Sequence, residues 1–261
     1  YSLQYFFESG GVPLKVERGQ RVFPVSDKSS DVIRRLEREL LDRKVEIRYN
    51  TKVLNVEKTG DEFCVQTDRG PFNGDKVIVA TGGITYKNTG STGDGYRWAK
   101  ELGLKVVKPV AGLVGLRADI PFRKSLQGLS LKNVQLFART EDGEDSEFGE
   151  MLITHYGISG PIVLSLSSRI NRKKHVDLWI DLKPALSREK LNERLIREVN
   201  KNSNKEMHTI LKNLVPKSLV EPLLFLSNLD PAMPAHQLTV EMRKELVENF
   251  KRFPMTYRGL F

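Results

Sequence analysis

Four consecutive residues, Ala80-Thr81-Gly82-Gly83, end the apolar run Val77 to Ala80 and have the residue types that hold main chain against a nucleotide. Glycine has no Cβ and tolerates positive φ, so Gly82 and Gly83 would let a ligand approach the backbone closely. The same residues also suit an ordinary turn after a strand. On this pattern alone the two interpretations are equally favoured, and the following segments decide between them.

A second glycine-rich segment, Gly90-Ser91-Thr92-Gly93-Asp94-Gly95, precedes a predicted helix that Gly103 would end. Free backbone amides at the start of a helix favour an anion. Asp94, however, is placed where its carboxylate would cap the helix and repel a phosphate. We therefore expect Gly90, Ser91, Gly93 and Asp94 to meet the sugar or ring part of a cofactor, or a substrate, rather than a pyrophosphate.

The segment Thr154 to Pro161 joins a predicted strand to a predicted helix and concentrates His155, Tyr156 and Ser159 among glycines. Histidine is suited to proton donation near neutral pH, so the segment could serve a redox centre. For any one of the three residues, a tight turn that satisfies backbone groups is the more economical interpretation. Ser159 is not part of Gly-x-Ser-x-Gly, which leaves a hydrolase unsupported.

The elements around these segments predict an α/β and α+β, multidomain protein. An amphipathic helix over residues 30–44, with Ser29, Ser30 and Asp31 as possible caps, is followed by a strand over 45–49 and a β-meander around 51–74. The unbroken apolar run at 77–80 then predicts a buried strand in a parallel sheet.

Composition changes along the rest of the chain and predicts two further domains. We expect residues 1–108 to form one domain, residues 109–183 a β-rich insert with a return strand near 252–261, and residues 184–251 a small helical domain. Within the insert, strands are predicted to include Val110, Leu113, Val114 and Leu116, and Gly160-Pro161 is predicted to start a helix.

Bulk composition excludes several classes of protein. The single cysteine, Cys64, excludes internal disulfides, and four histidines without ligand spacing predict no metal site. No signal sequence or membrane-length apolar run is present, so we expect a cytoplasmic protein with no membrane partner. The net charge of +9 is spread along the chain, and its densest cluster, Arg169 to Lys174, suits a helix end. We accordingly expect a small-molecule substrate and no nucleic acid.

Five segments in chain order resemble the BaiN and aminoacetone-oxidase family of bacterial FAD-dependent oxidoreductases. They are Gly19-Gln-Arg-Val-Phe-Pro24, the strand into Ala80 to Gly83, Gly90 to Tyr96, Leu126-Gln-Gly-Leu-Ser-Leu131, and Gly149-Glu-Met-Leu-Ile-Thr-His-Tyr-Gly-Ile-Ser-Gly-Pro161. The resemblance extends over nearly the whole chain.

The resemblance implies a partial Rossmann-like FAD-binding domain that carries a β-meander, with barrel-like and helical domains inserted into it. It further implies that Val53 and Ala80 to Gly83 lie beside the ADP half of FAD, with Gly90 to Gly95 nearer its sugar or flavin half. His155 and Tyr156 would face the substrate, and NAD(P)H is a possible electron donor.

The family's amino-terminal Gly-x-Gly-x-x-Gly and its carboxyl-terminal FAD-binding segment are not found in the sequence. We therefore expect a fragment that is inactive by itself, from a flavoprotein that transfers hydride between flavin and a small substrate or NAD(P)H. Two alternatives stay open, a flavoprotein relative that has only a regulatory role and a basic RNA-binding or scaffold module.

Overall fold

The computed structural model describes residues 2–17 and 21–261, and the chain divides into two compact units, Tyr1–Val107 and Lys108–Phe261. Gly19 and Gln20, which open the first of the five segments, lie outside the described residues. Every strand pair among the described residues is antiparallel.

The first unit combines three helices with a hairpin and a three-stranded sheet. Its elements are α1 (Ser2–Ser9), β1 (Leu14–Glu17), β2 (Arg21–Pro24), α2 (Ser29–Asp42), β3 (Val53–Thr59), β4 (Glu62–Thr67), β5 (Gly70–Gly74) and α3 (Asp94–Glu101), with a 3-10 turn at Lys87–Thr89. Strands β3, β4 and β5 pair in chain order, which confirms the predicted β-meander and places Cys64 in a strand.

Helix α2 forms where the apolar periodicity predicts it, but without the predicted caps. Its N-cap is Lys28, which makes no side-chain cap hydrogen bond, and the Ser26 hydroxyl instead donates to the Asp31 carboxylate at 2.6 Å. No α2 residue is buried, and Ile33 on its apolar face is 54% exposed. An amphipathic face thus lacks a covering layer among the described residues.

Two predicted strands of this unit are wrong. Residues 45–49 and 76–83 have no strand assignment, Ile78 is 92% exposed, and Val79 is 45% exposed. A strand requires ladder hydrogen bonds to a neighbour, and no described residue supplies a neighbour for either segment. The apolar run at 77–80 therefore has the composition of a buried parallel strand without the layers that would bury it.

The second unit is a closed six-stranded barrel with a helical module. Around the barrel the strand order is β10, β11, β6, β9, β8 and β7, and β7 closes on β10. The strands are β6 (Leu116–Asp119), β7 (Ser130–Thr140), β8 (Gly143–Ile153), β9 (Gly157–Ser159), β10 (Asp177–Asp181) and β11 (Phe253–Leu260). The helices are α4 (Arg123–Leu126), α5 (Pro161–Ile170), α6 (Arg188–Lys201), α7 (Met207–Leu211), α8 (Lys217–Leu226) and α9 (Val240–Lys251), with a 3-10 turn at Ala235–Gln237.

The barrel and the helical module share one apolar core, which includes Leu116 and Ile180 from strands and Leu195 and Phe250 from helices, all with no exposed surface. The predicted barrel-like domain is present as this closed barrel. The helix predicted after Gly160-Pro161 is α5. The strand predicted from Val110 to Leu116 is confirmed only at Leu116, where β6 begins, and is wrong for Val110, Leu113 and Val114. Ser187 caps α6 by accepting a hydrogen bond from the Lys190 amide at 3.3 Å.

Candidate functional site

The first unit brings its two glycine-rich segments together. A Cβ added at Gly95 would lie 2.6 Å from Thr81 Oγ1, and one added at Gly82 would lie 3.0 Å from Ser91 Oγ. Gly82 also has φ +73°, a conformation that favours glycine. The close approach of Ala80–Gly83 to Gly90–Gly95 therefore depends on residues without side chains.

The main chain at residues 80–82 is exposed and Gly83 is half-buried, while Ser91, Gly93 and Asp94 are half-buried and Gly90 is exposed. Exposed backbone beside a glycine loop is a cradle in which a ligand can approach the peptide groups. These residues fit a dinucleotide of the FAD type, of which they would contact one side.

The start of α3 differs from the prediction. Its N-cap is Gly93 and Asp94 is its first residue, so Asp94 does not cap the helix. The Thr92 hydroxyl donates to the Asp94 carboxylate at 2.6 Å, and this bond, helped by Arg97 at 3.6 Å, lowers the pKa of that carboxyl. The negative charge therefore persists at neutral pH, where it would repel a phosphate placed at this end of the helix.

Helix α3 is tied to the meander next to Val53. The side chains of Arg97 and Trp98 donate to the Leu54 carbonyl at 3.1 and 3.4 Å, and Trp98 is 4% exposed. Val53 itself is half-buried and pairs with Thr67. The helix end is closed as predicted, because Gly103 has φ +80° and the amides of Gly103 and the next residue bond back to the last turn.

In the second unit, His155 and Tyr156 occupy the tight turn between β8 and β9. The Thr154 amide donates to the Gly157 carbonyl at 2.8 Å, and Gly157 has φ +151° with no room for a Cβ, which would lie 2.3 Å from the Leu116 carbonyl oxygen. The His155 and Tyr156 rings meet edge to face at 5.1 Å. Ser159 lies farther along, on β9 opposite Leu152, so the turn groups only two of the three predicted residues.

An aromatic stack fixes the Tyr156 ring. The Tyr156 ring lies parallel to the Phe261 ring, with 3.7 Å between the two centroids. The Arg117 guanidinium lies 5.6 Å from the centroid of the Phe261 ring. A Cβ at Gly115 would lie 2.7 Å from the Tyr156 hydroxyl oxygen. No hydrogen bond joins that hydroxyl to another described residue. The long-range pairing of β6 with β11 assembles this stack, which sequence reasoning did not anticipate.

Thr154 was not singled out from the sequence, yet its buried Oγ1 has no hydrogen-bond partner among the described residues. An orphaned buried hydroxyl beside a half-exposed turn is a feature that a bound ligand or water can satisfy. No pattern in the sequence signals it, because its burial depends on barrel closure.

Two of the four basic residues in the cluster at the end of α5 form ion pairs within the chain. Arg169 contacts Asp145 and Glu147 at 3.3 and 2.6 Å, and Lys173 forms an ion pair with Asp142. Among the residues described, no group of three or more His, Cys, Asp and Glu side chains could hold a metal ion. None of the helices in the described part of the chain has the length and apolarity needed to cross a membrane.

Comparison with known proteins gives two overlapping family matches and several relatives. The HI0933-like protein Rossmann domain matches residues 1–163, and the HI0933-like protein barrel and H2TH domain matches residues 110–260. The chain is 31% identical to the 3-dehydro-bile acid delta(4,6)-reductase of Clostridium scindens over 257 residues, 96% of this chain and 62% of that protein.

Two ribosomal RNA dihydrouridine synthases are also similar. The Escherichia coli protein is 31% identical over 85% of this chain and 54% of its own length, and the Haemophilus influenzae protein is 35% identical over 67% and 42%. The chain thus spans between about two fifths and three fifths of the relatives it matches. With family models that cover more than half of it, the chain belongs to the HI0933-like protein family, the BaiN-like family of FAD-dependent oxidoreductases.

Proposed function

We propose that the protein carrying this chain is an FAD-dependent reductase that adds hydrogen to an unsaturated bond of its substrate and takes electrons from NAD(P)H. The observation that supports the proposal is the close approach of Ala80–Gly83 to Gly90–Gly95, in which the Thr81 and Ser91 hydroxyls pack against glycines beside the exposed residues 80–82. The match to a Rossmann domain over residues 1–163 supports it. Relatives named as a reductase and as dihydrouridine synthases support the direction of the reaction.

The residues that we assign to FAD lie in the first unit. Val53 and Ala80, Thr81, Gly82 and Gly83 would contact the ADP half, and Gly90, Ser91, Gly93 and Asp94 would contact the sugar or flavin half. Asp94 keeps its negative charge and so excludes a phosphate near it, which orients the cofactor. Bound FAD would supply the hydride chemistry of the reaction.

In the second unit, we assign substrate-side roles to His155 and Tyr156, with Ser159 as a weaker choice. The phenol of Tyr156 is held by the Phe261 stack and has a free hydroxyl, so it can donate a hydrogen bond or a proton to a substrate. His155 is exposed beside it and is assigned as a second hydrogen-bonding group for the substrate.

Two substrate classes follow from the relatives' names, a steroid-like small molecule and ribosomal RNA. The net charge of +9 favours an RNA substrate as the second candidate. The pairing of Arg169 and Lys173 with carboxylates favours the small molecule, because two of the four cations of the Arg169 to Lys174 cluster are already neutralised.

The test is the visible spectrum of the intact protein as purified, followed by anaerobic addition of NADH or NADPH. We expect flavin absorption that NADH or NADPH bleaches. The reduced flavin should then be reoxidised either by a steroid-like small molecule or by ribosomal RNA. A colourless protein that gains no flavin absorption from added FAD would refute the proposal. Flavin that neither nicotinamide bleaches would instead support a regulatory relative. The chain of 261 residues by itself is expected to hold FAD only weakly.

A further inference from the structure

We propose that a cleft on the outer wall of the barrel, centred on Arg252 and Trp179, binds the phosphate group of a nucleotide. The cleft lies wholly in the second unit, between β10, β11 and the end of α9, and encloses a cavity of ≈ 570 Å³. That volume falls within the range of about 300–1,000 Å³ usual for small-molecule sites. The proposal goes beyond the proposed reductase function and does not depend on it.

Arg252 is held in a fixed position by the residues on either side of it. Lys251 forms an ion pair with Asp181 and donates to two backbone carbonyls, and Phe253 is fully buried in the barrel core. Arg252 is exposed between these two anchored neighbours. Its backbone therefore presents the side chain to the cleft at little entropic cost on binding.

The guanidinium of Arg252 lies over the ring of Trp179. Its central carbon lies 4.5 Å from the centroid of the Trp179 ring, and Trp179 is stacked on Phe137 at 5.1 Å with an interplanar angle of 3°. The two aromatic residues are direct partners in the β10–β7 register. Arg139 also lies over the Trp179 ring, at 5.3 Å, but it pairs with Glu144 at 2.9 Å, so of the two arginines Arg252 is the one without a carboxylate partner among the described residues.

The N–H edge of the Arg252 guanidinium has no protein acceptor among the described residues. No carboxylate of the described chain lies within 4.0 Å of the Arg252 guanidinium, and none of its side-chain N–H groups makes a hydrogen bond there. The carboxylate of Glu248, which also lines the cleft, accepts two hydrogen bonds from Arg188 at 2.9 and 3.0 Å. An unpaired planar fork of this kind recognises phosphate or carboxylate through two parallel hydrogen bonds.

The polar lining of the cleft favours a phosphorylated, hydroxyl-bearing ligand over an apolar carboxylate. Three of its apolar members are covered, with Trp179 7%, Leu178 3% and Met255 8% exposed, whereas Val176 and Tyr257 are half-buried and Pro254 is exposed. Its exposed members include Asp177 and Thr256, which are direct partners across β10 and β11. A carboxylate and a hydroxyl in the same cleft as a cation suit the hydroxyl groups of a ribose next to a phosphate, and the exposed Pro254 and half-buried Tyr257 can contact its sugar or base.

The experiment titrates the chain with AMP, adenosine, inorganic phosphate and a single-stranded oligouridylate, measured by calorimetry. The chain has two tryptophans, so the indole N–H signals in an NMR spectrum report the site, with Trp179 assigned from a Trp179→Phe variant. We expect AMP or the oligonucleotide to shift the Trp179 signal and leave that of Trp98 in place. Adenosine should bind at least about tenfold more weakly, because it lacks the charged acceptor.

Arg252→Ala should weaken binding at least about tenfold. Arg252→Lys should weaken it nearly as much, because lysine lacks the planar guanidinium group. The matched control is Arg258→Ala, which removes another exposed arginine, on β11, that pairs with Asp119. AMP and oligonucleotide binding distinguish a free nucleotide from an RNA strand as the source of the phosphate. Failure of both to bind, an equal loss in the control, or full affinity in Arg252→Lys would each overturn the proposal.

Discussion

Lys251 and Asp181 form a buried ion pair that joins the end of α9 to the end of β10, and each side chain is 9% exposed. The Lys251 ammonium also donates to the carbonyls of Lys183 and Leu186 at 3.1 and 2.8 Å, and Asp181 accepts from the Lys183 amide at 2.8 Å. All three ammonium hydrogens and both carboxylate oxygens are thus engaged. The helical module is attached to the barrel through this network as well as through the shared core.

Replacing Lys251 with methionine should therefore destabilise the second unit strongly. The aliphatic stem remains, but Asp181 is left as an uncompensated buried charge, which costs about 3–5 kcal/mol. Urea unfolding followed by tryptophan fluorescence measures the loss, in a Trp98→Phe background so that the signal comes from Trp179 alone.

The matched control for that variant is Arg258→Met, which breaks a pair with Asp119 whose side chains are 61% and 55% exposed. Exposed pairs contribute about 0–1 kcal/mol, so the control should unfold close to the parent chain. Equal losses in the two variants would contradict the role assigned to burial.

Gly157→Ala should prevent proper closure of the barrel between β6 and β9. The new Cβ would lie 2.3 Å from the Leu116 carbonyl oxygen and 2.4 Å from the Ala118 amide nitrogen, both of them backbone atoms that cannot move without breaking the strand pairing. Strain at positive φ alone costs about 1–3 kcal/mol, and the clash adds to it.

Gly143→Ala separates the two effects, since Gly143 has φ +131° but no heavy atom within 4 Å of the added Cβ. We expect this variant to lose only the strain energy and Gly157→Ala to lose about 2 kcal/mol more. The difference is read from urea midpoints of the two variants. If they unfold alike, the close approach at Gly157 does not constrain the turn.

Local patterns predicted the second unit well. The helix predicted after Gly160-Pro161 is α5, and the return strand predicted near 252–261 is β11. Hairpins and capped helices depend on residues close together in the chain, so the sequence contains the information that specifies them.

Local patterns predicted two strands of the first unit wrongly. The segment 45–49 alternates apolar and polar residues, and 77–80 has the composition of a buried strand, but neither pattern supplies the neighbouring strand, and the described residues contain none. A continuous apolar run indicates a strand that can be buried on both faces, but the layers that bury it come from other segments. Burial is a property of the assembled sheet rather than of the run itself.

The two candidate sites also differ in how far the sequence predicts them. The contact of Thr81 with the Gly95 loop joins two motifs that the sequence already marked with glycines. The stack of Arg117, Phe261 and Tyr156 joins residues from β6, from beyond β11 and from the β8–β9 turn. Only the order of strands around the barrel brings these three together, and no local pattern predicts that order.

The Arg188–Glu248 pair should make stability depend on pH in the acid range. The hydrogen bond from Arg188 lowers the pKa of the Glu248 carboxyl below its ordinary value of 4.5. A carboxyl with a depressed folded-state pKa stabilises the fold above its unfolded pKa, and this contribution is lost as the pH falls through the folded pKa. Because the two side chains are 55% and 50% exposed, we expect at most about 1 kcal/mol.

Glu248→Gln should remove that component of the pH dependence, which is measured as the difference in urea midpoint between pH 6 and pH 3 for parent and variant. Glu245→Gln is the control, since Glu245 lies on the same helix but has no arginine or lysine within 4.0 Å among the described residues. An unchanged pH profile in Glu248→Gln would show that solvent screens the pair completely.

Gly95→Ala should weaken FAD binding to the intact protein if the two glycine segments form the cofactor cradle. Gly95 has an ordinary φ, so the variant introduces a steric contact with Thr81 Oγ1 at 2.6 Å and no backbone strain. Separation of the two segments by a few tenths of an ångström would disturb the main chain that faces the cofactor, and we expect at least about a tenfold rise in Kd. Flavin fluorescence quenching during titration with FAD measures it.

Rescue distinguishes a cofactor effect from simple unfolding. Thr81→Ala removes the clashing hydroxyl, so the double variant Thr81→Ala with Gly95→Ala should recover most of the lost affinity, as expected for residues in contact whose effects are not additive. Gly74→Ala, where the nearest atom to the added Cβ is 3.7 Å away, should bind FAD as the parent does. A Gly95→Ala protein with unchanged affinity would move the FAD site away from this pair of segments, while leaving the family assignment as it stands.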